Sequence, residues 1–155
     1  MSAPPRVLRE FAESDLAALI DLWAAAWTAT GIAIDFEARR GWIRDCLAAL
    51  RAGGAQIVVG LDASGKPAGF VTIDPKFGHL DQLCVAPAER GSGLARALVD
   101  EAKRRSPGSI ELKVNEANPR ALRFYEREGF EAVGRGVSSL SGWPTLTMRW
   151  RARGS

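Results

Sequence analysis

The residues Pro87-Ala-Glu-Arg-Gly-Ser-Gly-Leu-Ala95 place two glycines, Gly91 and Gly93, directly before a helical stretch. Glycine lets the backbone turn tightly and approach a ligand with no side chain between. The N–H groups that open a helix have no acceptor inside it, and the helix dipole favours an anion there. With Arg90 as a cationic clamp, a phosphate or pyrophosphate is the natural occupant, unless the turn merely starts a helix. Two nucleotide motifs fail. A P-loop ends in Gly-Lys-Ser/Thr, which is absent, and a dinucleotide fingerprint needs a third glycine where this chain has Arg96.

Three further side chains could do chemistry. Tyr125 is the only tyrosine. With an ordinary pKa of about 10 it stays protonated at neutral pH and can protonate a leaving group; its other use is as a core aromatic. His79, the only histidine, lies two residues from Asp81 on an expected strand, so both face one side, and the aspartate can orient or charge the imidazole. The alternative is a surface histidine at a strand start. Cys84 is five residues from His79, an odd separation that puts the two on opposite faces unless a bulge intervenes. Nothing beside it activates a thiolate, so a buried structural cysteine is favoured over a nucleophile. Two cysteines and one histidine make no zinc set, and no metal is expected.

The elements that must position these groups follow from periodicity. Val7 to Phe11 reads as a short strand. Leu16, Leu19, Ile20, Trp23 and Trp27 have helical spacing, with Ser14 as N-cap. A second helix carries Phe36, Ile43, Leu47 and Leu50 and ends at Gly53-Gly54. Gln56 to Leu61 and Ala68 to Ile73 form a hairpin, and His79 to Val85 a further strand. Gly93 to Arg105 is helical, with Lys103, Arg104 and Arg105 in the last turn, where the dipole favours cations. Ile110, Leu112 and Val114 alternate with polar residues as a strand does. Asn118-Pro119 opens a helix as N-cap and first residue, Gly129 closes it, and Phe130 to Arg135 and Thr145 to Trp150 complete the set. The β-α-α-β-β-β-α-β-α-β-β order predicts a mixed sheet with helices on both faces and a parallel, right-handed crossover from His79 to Val114.

Length and composition bound the answer. The 155 residues are expected to form one domain over 1–155. Of these 46% are hydrophobic and 25% charged, with no apolar run near the roughly 18 residues of a membrane span. No secretory signal is visible at the start, so a cytoplasmic protein without membrane partners is expected. A net charge of +3 is short of the one-sided basic runs of a nucleic-acid binder, and no nucleic-acid partner is expected.

Arg90-x-x-Gly93-x-Ala95 resembles the pyrophosphate-binding signature of the GNAT superfamily of acyl-CoA-dependent N-acyltransferases. The preceding His79-Leu-Asp-Gln-Leu-Cys-Val-Ala-Pro87 resembles that family's fourth strand. Val114 to Phe130, with Asn118 and Tyr125-Glu-Arg-Glu-Gly-Phe130, resembles its fifth strand and following helix. The likeness runs from Leu80 to Phe130, about a third of the chain.

The resemblance implies a mostly antiparallel sheet in which strands four and five are parallel and splay apart. It implies acetyl-CoA as acyl donor, with backbone groups around Leu83, Cys84 and Val85 holding the pantetheine arm. The amides of Arg90, Gly91, Ser92, Gly93, Leu94 and Ala95 would hold the pyrophosphate, and Asn118 and Tyr125 would face the arm and the sulfur. Tyr125 becomes the general acid, His79 a candidate base, and the Val85 N–H an oxyanion donor. Lys113 stands where ribosomal-protein N-terminal acetyltransferases carry a catalytic glutamate, which counts against that subgroup. Trp27, Asp35, Phe36 and Trp143 are candidates for the acceptor wall, with Asp35 suited to a cationic amine. The expected activity is direct acetyl transfer to a small-molecule primary amine, by a monomer or homodimer. A protein or peptide acceptor and a non-catalytic acyl-CoA sensor are the alternatives.

Overall fold

The computed structural model describes residues 7–138 and 142–153. The chain runs β1 (Leu8–Glu10), α1 (Leu16–Thr28), α2 (Arg40–Ala52), β2 (Gln56–Leu61), β3 (Pro67–Asp74), β4 (His79–Val85), α3 (Leu94–Arg105), β5 (Ser109–Asn115), α4 (Pro119–Arg127), β6 (Glu131–Val137) and β7 (Pro144–Arg151). This is the expected order. Two helix starts differ from expectation. Ser14 is not a cap, because a short 3-10 turn, Glu13–Asp15, precedes α1. Asp15 instead accepts the Ala12 N–H at 2.8 Å while Arg9 grips its carboxylate at 2.7 and 2.8 Å. That bidentate charged pair outweighs a lone hydroxyl. Phe36 likewise lies before α2, separated from it by a 3-10 turn, Glu37–Arg39.

The seven strands form one sheet in the order β1-β2-β3-β4-β5-β7-β6. Every neighbouring pair is antiparallel except β4–β5, which is parallel and paired only at His79 and Glu111. Beyond that point the two strands part. The cause lies in β4, where Val71 pairs with Leu83 but Ile73 pairs with Leu80, so Asp81 and Gln82 together oppose Thr72. The Gln82 N–H donates to Thr72 Oγ1 at 2.9 Å. Such a bulge bends and overtwists its strand.

The extra residue also switches faces. Leu80 packs with the α3 side of the core, whereas Cys84, four residues on, packs with the α1 side. Simple alternation would put both on one side. His79 and Cys84 therefore share a face, through the intervening bulge that the spacing argument leaves open.

Helices cover both faces of the sheet, as expected. Leu94, Leu98, Val99 and Ala102 of α3 bury against Val71, Ile110 and Leu112, with Phe130 and Met148. Leu19, Trp23, Ile43 and Leu47 of α1 and α2 bury against Ile57, Val59 and Phe70. Each such aliphatic side chain contributes about 1.5–3 kcal/mol by leaving water. Gly60 lets α3 settle onto β2, since a Cβ there would lie 2.7 Å from Leu94 Cδ1. That close seat fixes the start of α3, and with it the turn that precedes it.

Candidate active site

A cavity of about 460 Å³ opens where β4 and β5 part. His79 to Leu83 of β4 form one wall and Leu112 to Asn115 of β5 the other. Asn118, which precedes α4, and Ala121 and Tyr125 within it close one side, and Trp23, Trp27, Phe36, Trp42 and Cys46 the α1/α2 side.

The edge of β4 that faces the gap is built from backbone. Ala86 N–H donates to Ala68 O at 2.8 Å, and Cys84 is in register with Phe70. Antiparallel alternation then turns the polar groups of Cys84 toward β3 and those of Leu83 and Val85 toward the gap. Cys84 thus leaves the expected set of cofactor contacts: its backbone is engaged with β3 and its thiol is buried among α1 side chains. Burial pushes that thiol up to about 12, so it stays protonated. The backbone polar groups of Leu83 and Val85 face the gap between β4 and β5.

At the end of β4 the turn adopts positive φ at Gly91 (+78°) and Gly93 (+90°), with open space where a side chain would stand. Three of its amides are engaged: Arg90 with Pro87 O at 3.3 Å, Ser92 with Glu89 O at 3.1 Å, and Leu94 with Ser92 Oγ at 3.3 Å. Those of Gly91, Gly93 and Ala95 have no acceptor among the described residues. The unsatisfied donors alternate along the turn beside the positive end of α3, an anion cradle.

Tyr125 is 8% exposed, and its ring packs edge-on against Phe124 and Phe130 with centroids 5.2 and 5.5 Å away. Its side chain lines the cavity, and its hydroxyl has no hydrogen-bond partner among the described residues. Burial raises its pKa above the ordinary tyrosine value, so the phenol is a neutral donor throughout the working pH range. Asn118 Oδ1 accepts the Ala121 N–H at 3.3 Å and so caps α4. Thr145, also in the wall, is 5% exposed, and its Oγ1 is buried without a partner among the described residues.

His79 Nε2 lies 3.5 Å from Asp81 Oδ1, on one side of β4 as the spacing predicts. The carboxylate is further held by Gln82 Nε2 at 3.1 Å and by the Cys46 thiol at 3.5 Å. Asp81 raises the pKa of His79 above its usual value, against the lowering by burial and by Lys113. The imidazole in turn lowers that of Asp81. Burial and the neighbouring carboxylate drive Cys46 up to about 12, which leaves it a thiol donor.

Of the expected acceptor wall, Trp27 and Phe36 line the cavity, their rings stacked at 5.5 Å. Asp35 does not: its carboxylate accepts the Ala38 N–H at 3.1 Å and serves the 3-10 turn before α2. Trp143 is also outside the cavity lining, and its carbonyl takes the Ser138 N–H at 2.9 Å. Sequence reasoning missed Trp23, Trp42, Cys46 and Thr145. The helical spacing of Trp23 marked it only as a buried residue. Arg90 is exposed, as a clamp for a ligand in solvent requires.

A sheet split between two parallel neighbours, a glycine turn with free amides at the split, and a phenol within it define an acyl-carrier-binding architecture. The model of the acetyltransferase (GNAT) domain matches residues 42–152, and the chain belongs to that family. It is 31% identical to the peptidyl-lysine N-acetyltransferase YiaC of Escherichia coli over 150 residues, 93% of this chain and 96% of that protein. It is 35% identical over 81 residues to the peptidyl-lysine N-acetyltransferase YjaB of Escherichia coli, 52% of this chain. That match spans about half of the relative's length (53%). Among solved structures, the PaiA N-acetyltransferase of Thermoplasma acidophilum in complex with coenzyme A superposes with a TM-score of 0.80 at 18% identity, covering 96% of this chain and 99% of that one.

Proposed function

We propose that the protein is an N-acetyltransferase that moves the acetyl group of acetyl-CoA to a primary amine of a small molecule, directly within a ternary complex. The free amides of Gly91, Gly93 and Ala95, with Arg90, take the pyrophosphate. The gap-facing edge of Leu83 and Val85 takes the pantetheine arm by strand-like hydrogen bonds. An alkyl ammonium must lose a proton before it can attack, since its pKa is near 10. The His79–Asp81 pair accepts that proton, the Val85 N–H meets the oxyanion, and Tyr125 protonates the departing thiolate. A relative crystallised with coenzyme A supports the choice of donor. One domain suffices for these steps, and we place it in the cytoplasm as a monomer or homodimer. Among the described residues no helix is long and apolar enough to cross a membrane.

The observation that carries this reading is the phenol of Tyr125, on a side chain only 8% exposed, lining the gap where β4 and β5 part. Thermal melting with acetyl-CoA, ATP and NAD side by side tests it. A ligand at one hundred times its dissociation constant adds about 2.7 kcal/mol of stability, and only acetyl-CoA should do so. Thiol release with candidate amines then separates an enzyme from an acyl-CoA sensor, which would bind without turnover. A second reading, a peptide lysine as acceptor, is favoured by YiaC, which aligns over nearly the whole chain and is a peptidyl-lysine N-acetyltransferase. Mass spectrometry of lysine peptides incubated with enzyme and acetyl-CoA decides between the two.

A further inference from the structure

We infer that the acceptor is a monocationic primary amine with a flat, apolar body, and that Asp81 rather than Asp35 receives its ammonium. This rests on the acetyltransferase reading above and narrows it to a substrate class. Asp81 is the only carboxylate among the described residues that line the cavity. Gln82, Cys46 and His79 hold it in place, each leaving part of its acceptor capacity open, since an ionised carboxylate offers about four lone-pair sites. Beside it stand indoles in mutual contact: Trp23 lies 5.9 Å from Trp42 and 5.5 Å from Phe36. Trp42 is 36% exposed at this wall, an apolar surface that water covers poorly and an aromatic ligand would cover well. Aromatic faces also attract an organic cation, so the wall and the carboxylate select the same ligand chemistry. Across the gap, Lys113 lines the opposite wall and carries the opposite sign. It disfavours a second positive charge, which separates a monoamine from a diamine or polyamine.

Tryptophan fluorescence of the full chain, saturated with CoA so that no transfer occurs, reads this directly. The ligands are 2-phenylethylamine, its neutral analogue 2-phenylethanol, n-butylamine and spermidine. Phenylethylamine should bind about tenfold more tightly than each of the other three. Asp81→Asn should bring amine and alcohol to equal affinity, and Trp42→Ala should weaken both aryl ligands alike. The thermal shift with CoA confirms that each variant is folded. Equal binding of amine and alcohol by the unaltered protein would overturn the inference without any variant. So would spermidine or n-butylamine binding as tightly as phenylethylamine. Each of these outcomes leaves acetyl-CoA binding intact, whereas loss of the CoA shift in the unaltered protein would sink the acetyltransferase reading itself.

Discussion

The donor side and the acceptor side proposed for this site are made of different material. The donor side as proposed is backbone: a turn of eight residues, Ala86 to Gly93, the start of α3 and one edge of β4, contiguous in the chain. The acceptor side is side chains gathered from α1, α2, β4 and β5, with Trp23 and Lys113 ninety positions apart. A backbone site depends on conformation and tolerates exchange of most side chains, provided glycine stays where φ is positive. A side-chain wall depends on how distant elements dock, and each position in it is open to change. One fold can therefore keep its donor and vary its acceptor, which is why the donor side was the part that the sequence disclosed.

The strongest test of this division is Tyr125→Phe, where the two sides meet. Without the phenolic proton the thiolate must leave unprotonated, and kcat should fall by roughly 10² to 10⁴. Acetyl-CoA affinity, which rests on backbone, should stay within about twofold. Steady-state kinetics beside a binding titration show both at once; a parallel loss of affinity would mean that Tyr125 holds the donor. Next in size is His79→Gln. Asp81 raises the folded pKa of His79, so the basic form is populated only above a pH higher than the usual 6.5 or so. For the unaltered enzyme kcat/KM should climb through that inflection as pH rises. Tyr125, held above its ordinary value, should impose no alkaline fall before about pH 10. The variant should lose the ascending limb and about 10²-fold in rate at its plateau. A limb that persists would assign the proton to Asp81 or water.

Gly93→Val strikes the donor side alone. At φ +90° a β-branched residue costs about 1–2 kcal/mol, enough to weaken acetyl-CoA binding about tenfold as the turn shifts. Gly108→Ala is the control, because that glycine has no positive φ and open space around it. If the two variants bind alike, the amides of the turn do not hold the donor.

Legibility followed the same division. The helix starts at Asn118-Pro119 and after Gly93, the closing Gly129 and the alternation of Ile110, Leu112 and Val114 are local signals, and each element formed where they put it. The bulge at Asp81-Gln82 was not legible. Nothing in His79 to Val85 marks it, since it arises from how Thr72 and the Gln82 N–H meet across two strands. With it went the face of Cys84. Asp35 was misjudged for a related reason: an aspartate three residues before a free N–H caps a turn, and the local bond to Ala38 prevailed over a distant pocket. Trp42 and Cys46 reach the cavity only because α2 docks beside β4, a fact of tertiary packing.

Asn118 offers the finest cut between the two sides, because it belongs to both. Its Oδ1 caps the helix that carries Tyr125, and its side chain lines the cavity. Asn118→Ala removes the cap and should lower unfolding stability by about 1 kcal/mol. Asn118→Asp keeps the cap, since an aspartate accepts the same N–H, but it removes the amide donor and adds a charge to the cavity. If Asn118 serves only as a cap, the aspartate variant should melt and turn over like the parent, and the alanine variant should lose stability without a change in the KM for acetyl-CoA. If the side chain also holds the acyl carrier, both variants should raise that KM, the aspartate one despite an intact helix. Denaturant melts and acetyl-CoA titrations on the pair separate a residue that positions the phenol from one that grips the donor.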